Sequence, residues 1–92
     1  MIALRTDREL DLIQKSCRIV GLAHRAIQPL IQPGITTAEL DRVSEQLVKA
    51  HGAEPAFKGY HGYPATICIS INEQVVHGIP GKRKLLEGDL VS

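Results

Sequence analysis

Between Phe57 and Pro64 the chain gathers all three of its aromatic side chains and one of its four histidines, with Gly59 and Gly62 set among them. Glycine accepts positive φ and lets backbone approach a ligand closely, and aromatic rings wall a pocket with little rotamer freedom to lose. The plainer reading of the same residues is a glycine-rich surface connection. The segment directly after Pro64 favours a binding loop. Ala65 to Ile71 alternates, with Ile67, Ile69 and Ile71 on one side and Thr66, Cys68 and Ser70 on the other, as a strand requires. With Asn72-Glu73 as a turn, Ser70 faces Val75 and Cys68 faces His77 across an antiparallel hairpin. A four-residue loop about the same centre keeps those partners, whereas an odd loop or a bulge breaks them. The expected hairpin thus brings a thiol and an imidazole onto one face directly after the aromatic loop.

Other chemistries find less support. His24, His51, His61 and His77 have neither zinc-finger nor HExxH spacing, and Cys17 and Cys68 form no CxxC pair. Two distant cysteines suit a reducing compartment better than a disulfide framework. Glu87 and Asp89 sit in a turn before a final short strand and read as turn-forming carboxylates. Lys82-Arg83-Lys84 reads as a solvated loop tip, since three basic residues make a weak electrostatic footprint. His24 lies beside an apolar stripe as a structural residue, Cys17 lies on that stripe as core, and His51 caps a helix.

The elements that must position the loop are legible from capping and periodicity. Thr6 with Glu9 three residues on forms a capping box, and Leu10, Ile13, Cys17, Val20, Ala23, Ile27 and Leu30 or Ile31 recur at helical spacing. That face is expected on a core. Pro29 weakens the last turns, and Pro33-Gly34 ends the helix. Thr36 and Glu39 open a second helix carrying Leu40, Val43, Leu47 and Ala50, which Gly52 terminates. The 92 residues therefore divide into a helical segment, 1–52, and a loop-and-hairpin segment, 53–92, within one partial domain.

With 43% hydrophobic and 23% charged residues and a formal net charge of +1, the composition excludes a disordered tail and an electrostatic nucleic-acid binder. Charges crowd the first twenty residues, so no signal-peptide core is present, and no apolar run reaches the roughly 18 residues a membrane span needs. The expectation is a soluble, cytoplasmic chain. With no Trp, its core must be thin, and a lone hairpin is marginal in water, so an exposed apolar patch or self-association is expected.

Four ordered blocks resemble a known family: Gly59-Tyr60-His61-Gly62-Tyr63-Pro64, Cys68-Ile69-Ser70-Ile71-Asn72-Glu73, Val76-His77-Gly78-Ile79-Pro80 and Gly88-Asp89-Leu90-Val91-Ser92. They look like type I methionine aminopeptidase, and Pro33-Gly34-Ile35-Thr36-Thr37 and Glu39-Leu40-Asp41 resemble its link between two helices. The resemblance covers essentially the whole chain. It implies the N-terminal part of an α/β (α+β) pita-bread fold: two helices, an antiparallel hairpin and the start of a further strand. It also implies removal of the initiator methionine by two divalent metal ions, of the Co, Mn, Fe or Zn class, that activate a water. By this resemblance His77 matches the histidine that hydrogen-bonds the scissile peptide. Phe57, Tyr60, Tyr63 and Cys68 match the wall of the methionine pocket, where sulfur and aromatic edges suit a thioether. His61 matches a position at the pocket mouth, and carbonyls near Asn72 and Gln74 match a monovalent-cation site.

In the family the first aspartate ligand comes two residues after the block at Gly88–Ser92, and the others lie further on. The resemblance therefore implies an N-terminal portion that holds no metal and is inactive alone. Its implied partners are nascent N-termini beginning with Met, near the ribosome, with no membrane and no sequence-specific nucleic acid. A non-catalytic pita-bread module that binds protein N-termini is the alternative. A purely structural helix-hairpin domain gives no reason for the Gly-Tyr loop, and the proline-specific peptidases of the same fold match the aromatic and Cys68–Asn72 blocks less well.

Overall fold

A computed structural model describes residues 2–92, and its two long elements start where capping chemistry places them. Helix α1 spans Asp7–Ile27. Thr6 Oγ1 accepts the Glu9 N–H at 3.2 Å and Glu9 Oε1 accepts the Thr6 N–H at 2.9 Å, which closes the capping box. A short 3₁₀ turn, Gln28–Leu30, comes next with Pro29 inside it, so the proline ends the regular helix and does not kink it. Helix α2 spans Thr37–Ala50. Thr36 Oγ1 accepts the Glu39 N–H, but the Glu39 side chain does not reach back, so only half of the second box forms. His51 is the C-cap, its Nδ1 lying 2.9 Å from the Leu47 carbonyl, and Gly52 comes after it in the left-handed region at φ 73°.

The remaining N–H groups of the first turn of α2 are met from far along the chain. The Thr37 N–H donates to the Arg83 carbonyl at 3.1 Å and the Ala38 N–H to the Gly81 carbonyl at 3.0 Å. Beside them Gly34 donates to Leu85 and Leu85 to Ile35, each at 2.8 Å. Segment 81–85 is thereby held against the loop before α2, and Leu85 enters the core. That core is small: Leu40, Ile69, Ile71 and Leu85 are buried, with Ile27, Ile35, Ile67 and Val91 packed around them.

The expected antiparallel hairpin does not form. Among the described residues there is no strand, only two isolated antiparallel bridges, Thr36 with Lys84 and Ile71 with Val91. The backbone chemistry gives the reason. His77, at φ 59°, leaves the extended region at the end of the intended second arm. The Ile71 N–H is taken by Gln74 Oε1 at 3.0 Å. Two main-chain bonds join the arms: the Gln74 N–H donates to the Ile71 carbonyl at 3.0 Å across the turn, in the expected register, but the Ile69 N–H goes to the Gly78 carbonyl at 2.9 Å, two residues displaced from it. Val75, expected opposite Ser70, is 85% exposed. Segment 68–72 pairs with the end of the chain instead: Ser70 and Ser92 exchange reciprocal N–H···O bonds at 2.8 Å, and Asn72 donates to Leu90 at 3.0 Å. Alternation did identify inward residues, since Ile69 and Ile71 are core; Thr66 and Ser70 on the opposite side are also buried.

A second correction concerns α1. Its apolar stripe predicts contact with a core, yet no residue of α1 is buried, and Cys17 is exposed. The helix touches α2 but leaves Leu10, Ile13 and Val20 about half exposed, at 53%, 48% and 56%. The Cα radius of gyration, 14.8 Å, exceeds the roughly 12 Å expected of a compact chain of this length.

Candidate functional site

All six residues singled out by the sequence, Phe57, Tyr60, His61, Tyr63, Cys68 and His77, line one cleft of about 530 Å³. Gly62, Pro64 and Ile79 complete its wall. The cleft is built by a tight reversal. Gly59, at φ 83°, donates its N–H to the Tyr63 carbonyl at 2.7 Å, and a single 3₁₀ turn, Tyr60–Gly62, fills the loop. His61, at φ 48°, and Gly62, at φ 77°, carry the chain round the bend. Phe57 and Tyr63 meet edge to face with ring centroids 6.5 Å apart, and Tyr60 and His61 likewise at 4.3 Å.

Tyr63 is the anchor of this wall. Its hydroxyl lies 2.8 Å from the Ile67 carbonyl, to which it donates, and 3.3 Å from the Gly78 carbonyl. One phenol thus ties the aromatic loop to both arms of the failed hairpin. Burial, then the adjacent Cys68 thiol, hold that phenol well above its ordinary range, so it remains a donor through neutral pH. Cys68 is a free, half-buried thiol beside it.

His77 reaches the cleft by a route the alternation pattern did not predict. It sits at φ 59°, and the next residue, Gly78, is wedged against the other arm, where an added Cβ would lie 2.0 Å from the Ile69 carbonyl oxygen. Only glycine fits that position, and the close approach turns the imidazole toward the aromatic loop. Gly78 is held further by its N–H donating to Ser70 Oγ at 3.1 Å. Among the described residues, three that are not glycine have positive φ, and two of them, His61 and His77, lie on the cleft. Such conformations cost about 1–3 kcal/mol each and concentrate at sites where a side chain must be aimed.

One positioning residue lay outside the sequence reading of the site. Asp41, on α2, accepts the N–H groups of Thr66 and Ile67 on the same oxygen, at 2.9 and 2.8 Å. That clamp fixes the bend between Tyr63 and Cys68. Its partners are 25 and 26 residues away, so no local spacing announces it.

Among the described residues no three His, Cys, Asp or Glu side chains are grouped to hold an ion. Both oxygens of Asp89 are engaged: Oδ2 accepts the Leu86 N–H within its own turn at 2.8 Å, and Oδ1 accepts from Asn72 Nδ2 of the neighbouring segment at 2.9 Å. Those bonds hold its carboxyl below the usual aspartate range. Among the described residues, no helix is long and apolar enough to cross a membrane.

The profile of Metallopeptidase family M24 matches residues 11–92. The chain is 49% identical over 92 residues to a protein named Methionine aminopeptidase 1 from Bacillus subtilis and 48% identical to a Methionine aminopeptidase from Clostridium perfringens. Both alignments cover all of this chain and 37% of the relative, so the chain spans little more than a third of their length. Its backbone superposes on a crystal structure of methionine aminopeptidase from Thermotoga maritima with a TM-score of 0.94 and 39% identity, covering 99% of this chain and 37% of that one.

Proposed function

The chain belongs to metallopeptidase family M24, and from that membership we propose that it is the substrate-side, N-terminal portion of a methionine aminopeptidase. The observation that carries the reading is the cleft: an apolar, aromatic wall that also carries one thiol and two imidazoles. Phe57, Tyr60, Tyr63 and Cys68 receive the unbranched thioether of an N-terminal methionine, for which polarizable sulfur and ring edges are good neighbours. His61 stands at the mouth. His77 donates a hydrogen bond to the peptide carbonyl next to that methionine and stabilises the charge that grows there during attack.

The two divalent ions of family chemistry, which supply an activated water when bound, do not fit the residues present, as the absent donor cluster and the engaged Asp89 carboxylate indicate. Their ligands lie outside residues 1–92 in this reading, and the chain alone releases no methionine. The partners are nascent chains that begin with Met.

The test is titration of ¹⁵N-labelled chain with a Met-Ala-Ser peptide, and with the same peptide beginning with Lys, monitored by amide shifts. Selective movement of the 57–63, Cys68 and His77 resonances by the Met peptide supports the reading. Equal movement by both peptides, or metal-dependent methionine release by this chain alone, refutes it.

A further inference from the structure

His77 is held in place from one side of the chain only. Among the described residues, the backbone of Val75, Val76 and His77 makes no main-chain hydrogen bond, and all three residues are exposed. Yet His77 stands at φ 59°, a conformation that persists only where the surrounding structure imposes it. The constraint comes from Gly78, which is buried directly after it. Two peptide units meet at that glycine, and each is gripped. The His77–Gly78 unit donates its N–H to Ser70 Oγ at 3.1 Å. The Gly78–Ile79 unit accepts the Ile69 N–H at 2.9 Å and lies 3.3 Å from the Tyr63 hydroxyl.

Of these contacts the Ser70 bond acts nearest the imidazole along the chain, because the peptide plane it fixes is the one that sets ψ of His77. The Ile69 and Tyr63 bonds act one peptide unit further on. Ser70 is suited to the task. It is 5% exposed, and its own N–H and carbonyl are both bonded at 2.8 Å, so its hydroxyl oxygen is an acceptor fixed in place and shielded from water.

We propose that Ser70 is a positioning residue for His77: its buried hydroxyl fixes the His77–Gly78 peptide and so holds the imidazole on the cleft. The inference rests on the reading of the cleft as a methionine pocket in which His77 meets the peptide carbonyl. In that reading the thioether meets Phe57, Tyr60, Tyr63 and Cys68, so loss of the Ser70 oxygen spares side-chain binding and weakens the contact at the carbonyl.

The test compares the parent chain with Ser70→Ala, which removes the acceptor, and Ser70→Thr, which keeps an oxygen at the same place. In the free chain, nuclear Overhauser contacts between the His77 imidazole and the other cleft side chains are expected in the parent and in Ser70→Thr and absent in Ser70→Ala, with α2 amide exchange unchanged in all three. Ligand titration gives a second readout. Ser70→Ala is expected to bind the Met-Ala-Ser peptide about tenfold more weakly, and to bind methylthiopropylamine, which has the thioether and amine without a peptide carbonyl, within about twofold of the parent. In a His77→Ala background the same substitution is expected to change neither affinity, a control that holds where Ser70→Thr fails to fold. Unchanged imidazole contacts in Ser70→Ala, equal weakening of both ligands, or an undiminished effect in the His77→Ala background overturns the proposal. If the imidazole leaves the cleft in Ser70→Ala while the parent chain binds neither ligand, the positioning role stands and the cleft reading falls.

Discussion

Replacing Asp41 with alanine removes the single oxygen that receives two backbone donors, the N–H groups of Thr66 and Ile67. Thr66 is 6% exposed, so its N–H is left without water or protein, at about 2 kcal/mol. Ile67 is half-buried and can recruit solvent, so its loss is nearer about 1 kcal/mol. The total of about 3 kcal/mol corresponds to about 150-fold in the local opening equilibrium. Asp41→Asn keeps an oxygen and loses only the charge assistance, so about 1 kcal/mol and about fivefold are expected. The assay is amide exchange at residues 66 and 67, with the middle of α2 as an internal reference and the Met-peptide titration in parallel. The alanine variant is expected to lose protection at the two amides by about two orders of magnitude and to bind the peptide more weakly, because the bend that carries Tyr63 and Cys68 is freed. Protection within twofold of the parent in the alanine variant would show that the clamp does not hold the cleft.

Two further perturbations probe the same wall. Gly78→Ala places a Cβ 2.0 Å from the Ile69 carbonyl, so the arms must part; loss of about 3 kcal/mol or more and of Ile69 amide protection is expected, read by urea unfolding and exchange. Tyr63→Phe removes the donor to the Ile67 carbonyl and is expected to cost about 1 kcal/mol at neutral pH. Because the folded state raises the Tyr63 phenol, its contribution is complete below the ordinary phenol value of about 10 and declines as pH rises through that range; alkaline unfolding monitored at 222 and 295 nm is expected to lose one late-titrating phenol in the variant.

The range of each interaction decides how far the sequence reveals it. The caps at Thr6 and Thr36, the stop at Gly52 and the inward side of Ile69 and Ile71 depend on neighbours a few residues apart, and each was legible. The hairpin was not, because period-2 alternation reports which side faces inward and says nothing of which backbone receives the N–H groups. Ile71 found a side chain, Ser70 found the far end of the chain, and Ile69 found Gly78 out of register. The six cleft residues nonetheless converged. The left-handed turn at His77 and the absent Cβ of Gly78 bring the imidazole round to the aromatic loop by a different path from the one a ladder would take.

The exposure of α1 is the converse case: periodicity identified an apolar stripe, and the expected burial on a core did not follow. A stripe at helical spacing from Leu10 to Ile27 is a statement that something covers it, and α2 covers only part. A helix of 21 residues with no buried side chain has little tertiary stabilisation of its own, since short helices in water draw most of their stability from an apolar face packed against a core. The aromatic cleft does not share that weakness, because its clamps run from α2 and Gly78 and none runs from α1. The two sides of the molecule therefore come apart energetically. α1 should exchange its amides far faster than the middle of α2, and a chain in which both helices exchange at one rate would overturn that separation.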